Sequence, residues 1–401
     1  MTVELERKPP TALRWAERLS LALLLAWLGY ALLGTNVFGS RPFPQSVVDY
    51  QIQYEESRSI VGNGHYHPKR IFPYPPSAVA LFSLTAWPNY SMAAGVQIVL
   101  VGGAAIGTFV LGTSLVGLRG NPLRWPVALG SLLLLNYSVV WDLRSLNCNM
   151  LLCFLLTASL LMVQRGRDHW AGFFLAASIG LKLFPILLLP YLLWIGKRRA
   201  FVFAVLSLIL FFGLIPLLIF GAKTIGVYAS WIQVIGHIQD ADLSRHPILV
   251  SIPFTLRYRM GQDPQTVRWL TLVLSVIFVG AAAFAFRLGR RRFRPIDGWD
   301  LAVEAGILVL IPIVLNFYLE AYHLVPALLL ALAVLQPFSI PGAWKQPASL
   351  LVAILLVAGQ IAVAVAGAWG VRGLGLYIQL LLLVVAVISC RVLRRTWSEG
   401  S

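Results

Sequence analysis

Acidic residues and cysteines are scarce in this sequence: 16 Asp and Glu and three Cys in 401 residues, with charged side chains at 12% of the total. The cysteines, Cys148, Cys153 and Cys390, stand in or beside apolar runs without disulfide-framework or metal-ligand spacing, so they are expected to pack rather than react. No HExxH, paired-cysteine, Walker A or dinucleotide motif occurs, so neither a metal nor a cofactor is expected, and a nucleotide-driven step is disfavoured. No fixed-period repeat or low-complexity tract divides the chain, and a single domain over 1–401 is expected.

What fills the sequence is apolar, at 58% of residues. Runs such as "MAAGVQIVLVGGAAIGTFVLGTSLVGL" and "SLLVAILLVAGQIAVAVAGAW" are long enough to cross a hydrocarbon layer as helices, which identifies an all-α polytopic membrane protein. About twelve spans are expected, at roughly 19–35, 91–117, 126–141, 149–164, 169–181, 184–196, 200–221, 269–286, 300–317, 322–336, 348–368 and 374–390. The first run follows a charged segment and lacks a small-residue cleavage site, so it is expected to be a retained helix with no soluble domain ahead of it. The segment "PPSAVALFSLTAWPN" is short and proline-bounded, and is expected to dip into the interface without crossing. The net charge of +16 would suggest nucleic acid in a soluble chain. Here the basic residues sit in short connections, so they report topology and anionic lipid headgroups, and no nucleic-acid partner is expected. With the N-terminus cytoplasmic, the basic clusters at 197–199, 287–294 and 391–395 all fall on the cytoplasmic side, as does the C-terminus.

Two external segments, roughly 36–90 and 222–268, exceed ordinary connections and are too rich in aromatic and apolar residues to be disordered. Short helices lying on the membrane surface are expected in both. The first holds Asp49, which suits a general base if it faces a cavity and otherwise caps a helix or meets solvent. Glu55 and Glu56 are expected to form a solvated face. Lys182 interrupts an apolar stretch, where an ammonium either faces a cavity, as a point charge for phosphate, or snorkels to the interface. In "WDLRSLNCNMLL", Asp142 and Arg144 either pair with each other or serve a site, and Asn147 and Asn149 either do the same or cap and bridge helices. "NFYLEAYHLVP" puts Glu320 and His323 in a short turn flanked by Tyr318 and Tyr322, tyrosines that an aromatic belt also explains. His237, His246, Arg257 and Arg259 add cations to the second long segment.

A membrane-near carboxylate, several cations and aromatics on one face suit attack by a hydroxyl on a group activated by a lipid phosphate. The phosphate leaves as an anion, so cations stabilise it and one base suffices. Hydrolysis of an ordinary glycoside typically uses two carboxylates. Inversion at the sugar carbon is expected. The rival is a transporter or flippase of a lipid-linked sugar, which would gather ionisable residues at the midplane. Here they gather at one face, Glu304 being the main exception.

The order of these features resembles glycosyltransferase family 87, in the GT-C superfamily. "DYQIQYEESRSIVGNGHYHPKRIFPYPP" looks like the family's first external loop, in which an aspartate and aromatics lead to an F-x-Y-P-P element. The block from "LNCNMLLCF" to "LKLFPILLLPYLLWIGKRRA" looks like its centre, ending in K-x-x-P. The resemblance implies an enzyme of the bacterial plasma membrane that takes mannose or a related sugar from a polyprenyl-phosphate donor and passes it to a lipid or glycan acceptor on the external side. It implies Asp49 as base, Lys182, His323 and Arg144 at the lipid phosphate, and Tyr74 in the sugar pocket, with Asn147, Asn149 and Arg257 among the substrate contacts. Two departures stand out: "LNCN" replaces G-Q-x-N, so only Asn149 matches, and "HPI" stands where N-x-S is expected.

Overall fold

The structure is a computed structural model, described for residues 11–37, 48–67, 72–86, 89–240, 251–289, 297–316, 321–340, 347–368 and 372–399. Among these residues the secondary structure is entirely helical. The chain runs through α1 (Thr11–Val37), α2 (Val48–Asn63), α3 (Pro76–Thr85), α4 (Tyr90–Leu115), α5 (Arg124–Leu134) and α6 (Asn136–Arg144). It continues with α7 (Asn149–Gln164), α8 (Asp168–Leu181), α9 (Leu188–Trp194), α10 (Arg198–Ile209), α11 (Ile215–Phe220) and α12 (Thr224–Asp240). The last elements are α13 (Ile252–Phe254), α14 (Pro264–Gly289), α15 (Gly298–Leu315), α16 (Leu328–Leu335), α17 (Pro347–Ala368) and α18 (Arg372–Glu399).

Contacts fix the direction of several passes. A Cβ placed on Gly298 would meet the Leu115 carbonyl and the Gln164 side chain, so α4 and α7 end where α15 begins. Trp299 Nε1 donates to the Ala333 carbonyl at 2.7 Å, and Cys390 Sγ lies 3.7 Å from the Val334 carbonyl, which brings the ends of α16 and α18 to the same side. Arg124, at the start of α5, donates to Thr113 Oγ1 and the Val110 carbonyl, both at 2.8 Å. That side also carries the start of α10, with Lys197, Arg198 and Arg199. The opposite side gathers α2, α3 and α12 with the end of α6, the start of α7 and the ends of α8 and α15.

Among the described residues each of the twelve apolar segments expected from the sequence contains helix, but fewer than twelve are long enough to cross. By length and composition, five stretches among the described residues suffice to cross a membrane: Tyr90–Leu115, Arg198–Gly236, Pro264–Phe286, Gly298–Leu315 and Tyr322–Ser339. A sixth follows if α5 and α6 count as one span bent by 80°. The bend is at Leu135, inside the segment expected to run straight from 126 to 141. Helices α7 and α8 have 16 and 14 residues, roughly 24 and 21 Å at 1.5 Å per residue, against a hydrocarbon thickness of about 30 Å. Their shared connection at 165–167 lies on the basic side, so their other ends stop beneath the opposite surface. The ten residues of α3 span about 15 Å, too little to cross.

Packing is closest where side chains are smallest. A Cβ on Gly172 of α8 would lie 2.5 Å from Ala204 N and 2.6 Å from the Ala200 carbonyl, so the backbones of α8 and α10 touch directly.

Candidate functional site

Among the described residues of the first long segment are two helices, α2 and α3, and the aromatic strap Phe72–Pro75 that leads into α3. Asp49 is in the first turn of α2, half-buried, and Gln53 follows one turn later on the same face. Pro75 is extended and Pro76 opens α3, where a missing N–H costs nothing. Tyr66 Oη donates to the Tyr74 carbonyl at 2.7 Å, and Trp231 Nε1 of α12 donates to the Pro73 carbonyl at 3.3 Å. The Tyr74 ring packs 5.1 Å from Phe72 and 5.2 Å, edge-on, from Phe82. Burial holds the Tyr74 hydroxyl well above its ordinary pKa, so it remains a donor.

The turn between α6 and α7 is strained. Leu146 is buried with φ +48°, a left-handed conformation costing a branched residue about 1–2 kcal/mol. Its carbonyl accepts from Gln97 Nε2 at 3.0 Å. This reversal delivers Asn147 and Asn149 to the cavity side. Asp142 is fully buried, its Oδ1 accepting from Asn149 Nδ2 at 2.7 Å and its Oδ2 from Met150 N at 2.9 Å, which satisfies an orphan donor at the start of α7.

Lys182 ends α8 because its backbone turns extended, and Pro185 follows in a 3₁₀ turn at Phe184–Leu187. The side chain is only 7% exposed. Its Nζ donates to Asn149 Oδ1 at 2.8 Å and Asn147 Oδ1 at 3.3 Å. The ammonium lies 5.1 Å from the centre of the Tyr74 ring and 5.8 Å from that of Tyr322, both within cation–π range. An ammonium so held presents a positive charge at low solvent cost to any anion entering beside it.

These groups line one cavity of about 420 Å³. Its polar wall holds Asp49, Gln53, Tyr74, Asn147, Lys182, Asn316, Tyr322 and His323, and its apolar wall includes Ile52, Leu183, Phe184, Ile186, Trp231 and Ile235. His323 is buried, edge-on to Phe184 at 5.6 Å and 4.6 Å from the Tyr322 ring. Ile52, Leu183 and Ile186 are each more than a third exposed, so the rim is greasy.

Of the residues singled out in the sequence, Asp49, Tyr74, Asn147, Lys182 and His323 meet at this cavity, and Asn149 stands directly behind Lys182. Arg144 and Arg257 do not reach it. Asp142 takes the interior face of α6, and a residue two positions on points about 200° away. Arg144 therefore stacks over Tyr30 at 5.7 Å, and Arg257 over its neighbour Tyr258 at 5.2 Å. The expected Asp142–Arg144 pair does not form, since both Asp142 oxygens are taken by α7. Glu56, expected in solvent, is buried in α2. Gln53, Asn316 and Trp231 escaped sequence reasoning, although the four-residue step from Asp49 placed Gln53 on the same face. Tyr318, Glu320 and His246 lie outside the described residues, as do the side chains of His237 and Arg259.

Among the described residues no group of three His, Cys, Asp or Glu side chains could hold a metal ion. The sequence has an Asp-x-Asp pair, Asp240 and Asp242, at the end of α12, of which Asp242 and the Asp240 side chain lie outside the described residues.

No curated protein matches the sequence. Among solved structures, ArnT from Cupriavidus metallidurans bound to undecaprenyl phosphate is similar at 15% identity and a TM-score of 0.40, over 96% of this chain and 79% of that one. The profile of glycosyltransferase family 87 matches residues 72–312, more than half of the chain, from the strap that carries Tyr74 to Pro312 on the cavity wall. The chain is thus a membrane glycosyltransferase and belongs to glycosyltransferase family 87.

Proposed function

We propose that this enzyme transfers a sugar, mannose or a relative, from a polyprenyl-phosphate donor to a hydroxyl of a lipid or glycan acceptor, with inversion, on the external face of the bacterial plasma membrane. The observation that carries the reading is the shared cavity: a buried ammonium, Lys182, on the same polar wall as a half-buried carboxylate, Asp49, beside an apolar rim. A prenyl tail suits the exposed Ile52, Leu183 and Ile186, and a phosphate suits Lys182 and His323. Sidedness is supported by the basic cluster at 197–199, which lies at the end of the molecule away from the cavity.

In the reaction the acceptor oxygen bonds to the anomeric carbon from the face opposite the phosphate. The bond from that carbon to the phosphate oxygen breaks, and polyprenyl phosphate leaves with the electron pair. Asp49 takes the acceptor's proton. Lys182 stabilises the charge that grows on the leaving phosphate, where a prepositioned cation contributes most. Tyr74 and Asn147 border the space between the two groups.

The test is sugar transfer by purified protein in proteoliposomes. Polyprenyl-phosphate mannose, glucose and arabinose are offered with extracted membrane acceptors to wild type and Asp49→Asn. The variant should keep donor binding and lose about 10²- to 10⁴-fold in turnover. Equal turnover by both would remove Asp49 from the role of base. Lipid crossing the bilayer with no donor consumed would replace the enzyme with a flippase.

A further inference from the structure

Asp142 does not line the cavity, yet it ends a chain of hydrogen bonds that reaches it. Asp142 Oδ1 accepts from Asn149 Nδ2 at 2.7 Å, and Asn149 Oδ1 accepts from Lys182 Nζ at 2.8 Å. All three side chains are buried. The direction of the amide is forced. With the amide reversed, Nδ2 would face an ammonium that only donates, and Oδ1 would face a carboxylate oxygen. Because Asp142 also caps α7 through Met150 N, it is anchored to the helix that carries Asn149.

We propose that Asp142 is a positioning residue that, through Asn149, aims the Lys182 ammonium at the donor phosphate. This inference rests on the phosphate site proposed above. A carboxylate placed directly on Lys182 would compete with the incoming phosphate for the same charge. With an amide between them, Asp142 orients the ammonium without laying its own charge on it. The neutral Asn149 Oδ1 is a weaker competitor than phosphate, because hydrogen bonds between two ionised partners are the stronger kind.

Asp142→Asn tests this in nearly the same shape. If its new amide oxygen stays on Met150 N, its NH₂ faces Asn149 Nδ2, and relief requires Asn149 to turn its oxygen away from Lys182. If the new amide turns over, its NH₂ faces Met150 N–H. Either arrangement disturbs the relay or the cap. Asp142→Glu keeps two acceptor oxygens, and Asn149→Leu cuts the relay while leaving Asp142 on Met150 N.

The experiment measures the Kd of farnesyl phosphate for the full chain in detergent, with farnesol as a control for the tail and the melting temperature of each unliganded variant recorded alongside. Asp142→Asn and Asn149→Leu should each weaken farnesyl phosphate about tenfold and leave farnesol unchanged, and Asp142→Glu should stay within about threefold of wild type. A purely structural role would lower melting temperatures without changing Kd, and that result overturns the inference. So does an Asp142→Glu loss as large as that of Asp142→Asn. Should Asp142→Asn not fold, Asp142→Ala, which also removes the acceptor on Asn149 Nδ2, carries the same test. Lys182→Met separates the two levels: if it also leaves Kd unchanged, the phosphate site itself is wrong, whereas if it alone weakens binding, only the relay is.

Discussion

Replacing Tyr74 by Phe removes one oxygen and keeps the ring. The packing on Phe72 and Phe82 and the face offered to Lys182 therefore survive. What is lost is the acceptor for Gln53 Nε2 and the donor to Asn147 Oδ1, each at 3.0 Å. Asn147 Oδ1 tolerates this, because Cys148 N at 2.8 Å, Asn149 Nδ2 at 3.2 Å and Lys182 Nζ at 3.3 Å still reach it. Gln53 does not: its Oε1 is already buried without a partner, so its whole amide becomes unsatisfied. A buried polar group left unpaired costs about 1–3 kcal/mol. That penalty belongs to Gln53, and Gln53→Met, which has no amide to orphan, should abolish most of it. The assay is thermal melting of the four proteins of the double-mutant cycle, purified in one detergent. Tyr74→Phe should lower the melting temperature clearly in the wild-type background and much less in the Gln53→Met background. Equal shifts in the two backgrounds would show that the hydroxyl does not satisfy Gln53, and the reasoning would fail.

Gly172→Ala should destabilise by about 1–3 kcal/mol, because the added methyl meets the α10 backbone, which cannot rotate away. Gly103→Ala, with nothing within 4 Å of the new carbon, should be neutral or stabilising in the same melting assay. The Leu134 carbonyl accepts from both Gln360 Nε2 and Gln379 Nε2, so each Gln→Leu change alone should cost little and the pair together more than their sum. Additive melting shifts would contradict that sharing. Asp263 Oδ1 accepts from Gln265 N and Thr266 N at 3.0 Å, which caps α14, and the Thr266 hydrogen bonds hold its carboxyl below the usual range. Since the folded pKa is depressed, the stabilisation is present above the unfolded carboxylate pKa and is lost as pH falls through the folded one. Protection from hydrogen exchange at the first turn of α14, taken relative to the intrinsic rate at each pH, should therefore fall on acidification, and Asp263→Asn should flatten that response.

The helical architecture was legible because each apolar run is long and uniform, and hydropathy needs no partner to be read. The site was legible in part for a similar reason. Tyr74 sits in a Tyr-Pro-Pro strap and Lys182 interrupts grease, and both are local anomalies. What escaped depends on distant chain. Leu135 breaks the 126–141 segment without a Gly or Pro to announce it, and the freed Leu134 carbonyl is met by glutamines more than two hundred residues away. Leu146 carries no signal for a left-handed turn, yet it closes α6, where Asn147 N donates back to the Asp142 carbonyl at 3.0 Å and Gln97 takes the Leu146 carbonyl. Asp142 read as the partner of Arg144, two residues on, because sequence shows proximity along the chain and not the side of a helix that becomes interior. The same turn of α6 that sends Arg144 out to Tyr30 sends Asp142 in toward Asn149. In a membrane protein, where polar side chains are scarce, one helical rotation decides which of two adjacent charges supports the site.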